Sequence, residues 1–164
     1  MSSHYQHTKY DPYGLEGTDE DRHAFRPIGF QRNQELSILQ IRNDVPAQIA
    51  GVQWIAFGPN VFNGIAPYYT NVLDTPETYR DTKEHFNIQN MYWLTHAITT
   101  IVDEHPFRYS ASIEEMKQKT VAAGRHVLFE TDQEVQALDG EALQNKLQIA
   151  NNQTAKAAYD IAMK

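Results

Sequence analysis

The stretch AGVQWIAFGPNVFNGIAPYYTNVLDTP, Ala50 to Pro76, decides how this chain is read. Gly51 to Gly58 is an apolar and aromatic run interrupted by one glutamine. At strand spacing Val52, Trp54 and Ala56 point one way and Gln53, Ile55 and Phe57 the other. Gly58, Pro59, Gly64 and Pro67 then break the run, while Asn60, Asn63 and Asn71 bring amide side chains to the turns. An apolar strand that feeds an asparagine-bearing turn is a plausible place for binding chemistry.

Working outward, Leu36 to Arg42 (LSILQIR) reads as a second strand. It is apolar on both faces, which predicts a strand covered on both sides. The connection through Asn43, Asp44, Val45 and Pro46 is too short for a helical crossover, so the two strands should pair antiparallel. Arg26 to Phe30 suggests a further short strand, with Pro27 keeping its start off a central ladder. Residues 1–24 are polar and rich in turn formers and read as a surface loop or tail, ahead of a β portion over 25–72.

A helical portion follows over 86–164. Leu94, Ala97, Ile98, Ile101 and Val102 recur at helical spacing, predicting an amphipathic helix over roughly 88–104 that stops at His105-Pro106. Ser112, Ile113, Glu114 and Glu115 match a capping box that would open a second helix. Gly124 weakens that helix by about 1 kcal/mol relative to alanine and allows a bend. Asp139-Gly140 marks the next break. Leu143, Leu147, Ala150, Thr154, Ala157 and Ile161 then form a heptad-like stripe, expected to fold back on the preceding helix as an antiparallel hairpin.

Composition narrows the function classes. The chain has 164 residues and a formal net charge of −7, which argues against a nucleic-acid partner. No run of about 18 apolar residues suggests a membrane span, and the polar start has no secretory apolar region. Cytoplasmic localisation is the simplest expectation. There is no cysteine, so neither a disulfide nor a thiol nucleophile can come from these residues. No cofactor motif is present, and His4 and His7 with His23 fall in a polar segment rather than on rigid metal supports, so neither metal nor cofactor is expected.

The candidate site residues are few. Asn60 and Asn63 can orient a substrate amide or donate to an oxyanion, or equally tie the turn through side-chain bonds. Arg26, like Arg32, can hold a carboxylate bidentately or be an ordinary exposed arginine. Trp54, Phe57, Phe62, Tyr68 and Tyr69 suggest a ligand wall, though aromatic residues at such spacing are usually core. Ser2 would carry hydroxyl and α-amine together once Met1 is removed, but the polar segment around it offers no support for an oxyanion hole.

The segments SSHYQHTKYDPYG, FRPIGFQRNQELSILQIR, VPAQIAGVQWIAFGPNVFN, APYYTNVLDTPETYRDT and NMYWLTHAI together resemble the C-terminal part of the C69 (formerly U34) dipeptidases of lactic acid bacteria. The resemblance runs from about Ser2 to at least Leu128. It implies an α+β fold, the C-terminal portion of an N-terminal nucleophile (Ntn) hydrolase αββα sandwich, with antiparallel strands followed by about three helices. It also implies dipeptide hydrolysis by an N-terminal cysteine whose own α-amine is the base. That cysteine is missing here, and Met1-Ser2 aligns with the family's interior.

The expectation is therefore a single incomplete domain over 1–164, inactive alone, whose substrate in the complete enzyme is a dipeptide. Asn60, Asn63 and Arg26 are the expected pocket residues. Alternatives are a non-catalytic binding module, or a half that complements a separately encoded cysteine-bearing part. A truncated gene, a split gene or a late start would each produce such a chain. Unpaired strand edges and one sheet face without its partner would favour aggregation, loose packing or self-association.

Overall fold

The protein is described from a computed structural model covering residues 5, 8–12, 14–25, 33–59 and 61–164. Three strands, β1 (Glu35–Ile41), β2 (Gly51–Phe57) and β3 (Ala66–Tyr69), form an antiparallel sheet in the order β1-β2-β3. Ile38 lies opposite Trp54, and Val52 opposite Tyr69. The fold class is α+β, as the sequence implies. The strand expected at Arg26 to Phe30 lies outside the described residues.

Adjacent strand residues point to opposite faces, and each face of the sheet has its own helical cover. The Val52 and Tyr69 face packs on Leu128 of α3 (Pro106–Glu134), on Val135 just past its end, and on Leu143, Leu147 and Ala150 of α4 (Gly140–Ala162). The Tyr68 and Ala66 face packs on Met91 and Leu94 of α2 (Met91–Glu104), with Ala155 and Ala158 of α4 completing the cluster. A third cluster joins Phe62, Val102 and Ile113 where α2, α3 and the turn after β2 meet. A short capped helix, α1 (Asp19–His23), sits within the segment read as loop or tail, with Thr18 and Asp21 forming a reciprocal capping box.

β1 departs from expectation. Leu39 and Ile41 are 77% and 80% exposed, and on the opposite face Ile38 is exposed while Leu36 is half-buried, so β1 lacks the cover expected on both sides. Its apolar pattern is that of a buried strand, but α2 packs chiefly on β2, and α3 and α4 on β3. The expected aromatic wall is also divided: Tyr68 and Tyr69 are buried on opposite faces, and Phe62 belongs to the third cluster.

The helices follow the sequence in part. Asn90 caps α2 by accepting from the Tyr92 amide, and His105 closes it. Within α2 the buried stripe is rotated, with Thr95 inside and Ile101 exposed. Ser112 caps nothing. Pro106, at the first helical position, opens α3 before it, because its missing N–H is no loss there. α3 and α4 form the expected antiparallel hairpin. The buried stripe of α4 holds to Thr154 and then moves to Ala155 and Ala158, which face the second cluster.

α3 passes through Gly124 without interruption, and the glycine serves a packing purpose. A Cβ there would lie 2.3 Å from Cδ of Pro67 in β3. Gly124→Ala gains about 1 kcal/mol of helix propensity but forces helix and sheet apart, so we expect a net loss of about 1–2 kcal/mol. Urea unfolding checks this; a stabilised variant would show that the interface yields freely.

Three tyrosines make the fold sensitive to alkali. Burial raises Tyr68 well above the ordinary phenol range, raises Tyr69, and pushes Tyr79 up to about 12. In the unfolded chain these groups ionise near pH ~10. Between those limits the unfolded state binds fewer protons than the folded one, so stability falls as pH rises. We expect a urea midpoint that holds up to about pH 9 and drops by pH 11. An unchanged midpoint would contradict the raised phenols.

Candidate functional site

The end of β2 is a tightly organised turn. The Gly58 amide donates to the Gln34 carbonyl at 2.8 Å, ending the β1–β2 ladder. Gly58 has φ +69°, a conformation that disfavours a side chain. A Cβ on it would also meet Asn63 Nδ2 at 3.1 Å, Thr95 Oγ1 at 3.3 Å and His96 Cε1 at 3.5 Å. The chain then reverses, with the Phe62 amide donating to the Pro59 carbonyl at 3.0 Å.

Asn63 holds this turn. Its buried amide nitrogen donates to the Pro59 carbonyl at 3.0 Å and to Thr99 Oγ1 at 3.3 Å, tying the loop to α2. Its Oδ1 is buried and, among the described residues, finds no hydrogen-bond partner. Of the two readings of Asn63, these bonds match the turn-tying one. They also leave one acceptor uncommitted, and buried polar atoms are rarely left so.

α2 presents a polar face to the same turn. Thr99 donates to the Thr95 carbonyl and Thr95 to the Tyr92 carbonyl, both at 2.9 Å. His96 Nδ1 lies 2.7 Å from the Tyr92 carbonyl, which can only accept, so Nδ1–H is the donor. Its ring lies over Tyr92, with centroids 4.1 Å apart. The sequence reading missed Thr95, His96 and Thr99 because it followed only the apolar stripe. The signal was present: Tyr92, Thr95, His96 and Thr99 share one helical face.

Asn60, one of the two asparagines singled out in the sequence, falls between Pro59 and Val61 but lies outside the described residues, as does Arg26. Arg32, Ser2, His4 and His7 are also outside them. Among the described residues no group of three or more histidines, aspartates or glutamates is placed to hold a metal ion. Among them, too, no helix is long and apolar enough to cross a membrane. The turn can fix backbone and amide groups in place, but the chain brings no thiol to it.

The sequence matches the model of peptidase family C69 over residues 1–119. It is 48% identical to "Dipeptidase A" of Lactobacillus helveticus over 97% of this chain and 33% of that protein. It is 40% identical to "Probable dipeptidase B" of Lactococcus lactis subsp. lactis (strain IL1403), with the same coverage of each. A "Dipeptidase" of Bifidobacterium longum (strain NCC 2705) is 34% identical over 96% of this chain and 30% of its own length. The chain spans about a third of the length of the curated relatives it matches. On these matches, the chain belongs to peptidase family C69.

Proposed function

We propose that this chain is the turn-bearing part of a cytoplasmic dipeptidase of the Ntn type, with the nucleophilic cysteine contributed by sequence outside it. Family membership carries this reading, together with the absence of any cysteine among the 164 residues. In the complete enzyme the cysteine thiol, deprotonated by its own α-amine, attacks the dipeptide carbonyl. The α-ammonium so formed passes that proton to the nitrogen of the leaving amino acid as the C–N bond breaks, and water then hydrolyses the thioester to release the acid and restore the thiol. Asn60 contacts the substrate amide or oxyanion, Asn63 holds the turn that presents it, and Arg26 anchors a carboxylate. Oxyanion and positioning groups without a nucleophile retain only a small residual rate.

The test is an assay of dipeptide hydrolysis by the chain alone, and then mixed with the part of L. helveticus Dipeptidase A that it does not match. Turnover only in the mixture, abolished by a thiol-blocking reagent, is the expected result. Turnover by the chain alone would overturn the reading, and a mixture that binds dipeptide without cleaving it would favour a binding module.

A further inference from the structure

The chain's single Asn-Gly pair, Asn63-Gly64, falls in the turn after β2. Asparagine is thermolabile, and a following glycine makes it more so, because without a Cβ the next amide nitrogen can swing onto the side-chain carbonyl carbon. The fold nonetheless has a use for each residue. Asn63 ties the turn to α2. A Cβ on Gly64 would lie 2.6 Å from Oγ1 and 2.7 Å from Cβ of Thr120, a buried residue of α3, so only glycine fits where helix and turn touch.

The same contacts hold the pair in an unreactive arrangement. Ring closure needs the Asn63 carboxamide to turn until Cγ faces the Gly64 nitrogen. Nδ2 is instead held by the Pro59 carbonyl at 3.0 Å and by Thr99 Oγ1 at 3.3 Å. Asn63 is only 3% exposed, and Thr120 packs against Gly64 and restrains its swing. Asp139-Gly140, the other pair open to this ring closure, has no such clamp. It is exposed, the Asp139 side chain caps nothing, and nothing lies within 4 Å of where a Gly140 Cβ would be.

We propose that Asn63-Gly64 is a site of spontaneous covalent modification, gated by Thr99 and Thr120, whose product cannot rebuild the turn. When the turn opens, the Gly64 amide nitrogen loses its proton to solvent and attacks Asn63 Cγ. The Cγ–Nδ2 bond breaks, the departing nitrogen takes a proton from solvent and leaves as ammonia, and a succinimide remains. Water then opens either C–N bond of the ring, leaving aspartate or isoaspartate at position 63. Where Nδ2 donated, a carboxylate oxygen now meets the Pro59 carbonyl, which can only accept. It also meets Thr99 Oγ1, whose proton is committed to the Thr95 carbonyl at 2.9 Å. The position of Oδ1 offers no donor among the described residues. A buried charge without donors is too costly to keep, so the modified turn stays open. No step involves a dipeptide or a nucleophilic side chain, so the inference stands apart from the proposed hydrolysis.

The experiment incubates the full chain at mildly alkaline pH, folded and in guanidinium chloride. Peptide mass spectrometry reads the exchange of –NH2 for –OH at position 63. Modification should be at least ~10-fold slower in the folded chain, because only the open turn reacts. Thr99→Val, which removes an acceptor of the Asn63 amide, should quicken the folded rate at least ~3-fold. Thr100→Val removes the same kind of hydroxyl bond at an exposed neighbour and should leave the rate alone. The modified fraction carries an added negative charge and is separated by anion exchange. In it the Phe62 amide, which donates to the Pro59 carbonyl, should exchange at least ~10-fold faster than in the parent. Equal rates folded and denatured, no modification in either, or a modified fraction that keeps the parent's protection at Phe62 would each overturn the proposal. So would a folded Thr99→Val chain that reacts no faster; if that variant does not fold, the other two measurements decide.

Discussion

Asn151→Ala is expected to destabilise the chain by about 2–5 kcal/mol. The substitution removes a single amide from α4 but strands two backbone groups, the N–H and C=O of Tyr69, which Asn151 engages at 2.8 and 3.0 Å. Both bonds are buried. An orphaned buried donor or acceptor costs about 1–3 kcal/mol, and water reaches neither group readily. Tyr69 is an outward-facing residue of β3, so no strand can take over. Asn151→Asp should do no better, because a carboxylate can accept from the N–H but confronts the Tyr69 carbonyl with a second acceptor and buries a charge. Asn152→Ala, one residue further on an exposed position, should stay within about 0.5 kcal/mol of the parent. Urea unfolding of the three variants separates these effects, and hydrogen exchange should show the Tyr69 amide losing protection in Asn151→Ala. A loss below about 0.5 kcal/mol would mean that β3 does not depend on this amide.

The strands β1 and β2 were legible in the sequence because their apolar runs are long and the nine-residue connection, 42–50, is too short for a helical crossover and leaves only antiparallel pairing. β3 was not, because four residues containing a proline carry too little periodicity to announce a strand. It exists through the neighbours that seal it, and Asn151, distant in sequence, cannot be assigned to it by pattern. The capping box at Ser112 misled for a related reason. Its spacing is real, but Pro106 had already started the helix, and a cap signature inside a helix is only a surface polar pair. The site divides in the same way. Gly58, Pro59 and the asparagines marked the turn, whereas the threonines and histidine of α2 that hold it belong to a face defined only once helix and turn meet. β1 is the instructive case. Its composition predicts cover on both faces, yet Leu39 and Ile41 stand exposed on one and Ile38 on the other, because an apolar run reports strand propensity and not which helices reach it.

Asp132→Ala is expected to cost about 3–5 kcal/mol, because it leaves a largely buried cation unpaired. Arg42, directly after β1, forks onto Asp132 of α3 through Nη1 to Oδ2 at 2.5 Å and Nη2 to Oδ1 at 3.1 Å. The two side chains are only 11% and 13% exposed, so solvent screens the pair poorly. Tyr69 donates its hydroxyl to the same carboxylate at 2.8 Å, and Arg42 Nη2 also reaches the Ile49 carbonyl at 2.6 Å. This network is what fastens the end of β1, a strand without helical cover, to the body of the protein. Arg42→Lys should lose much of the benefit, since an ammonium cannot reproduce the two-pronged geometry. The converse test is more informative. Arg42 Nε is buried without a partner among the described residues, so the pair carries an uncompensated desolvation cost even when intact. Replacing both residues, as Arg42→Met with Asp132→Leu, should therefore recover most of the loss and leave the double variant within about 1 kcal/mol of the parent. A double-mutant cycle in urea measures the coupling directly. If Asp132→Ala alone costs less than about 1 kcal/mol, the pair is solvated in practice and acts as a surface ion pair would. If the double variant is as unstable as the sum of the singles, the network holds β1 through its hydrogen bonds to Tyr69 and Ile49, which apolar side chains cannot replace.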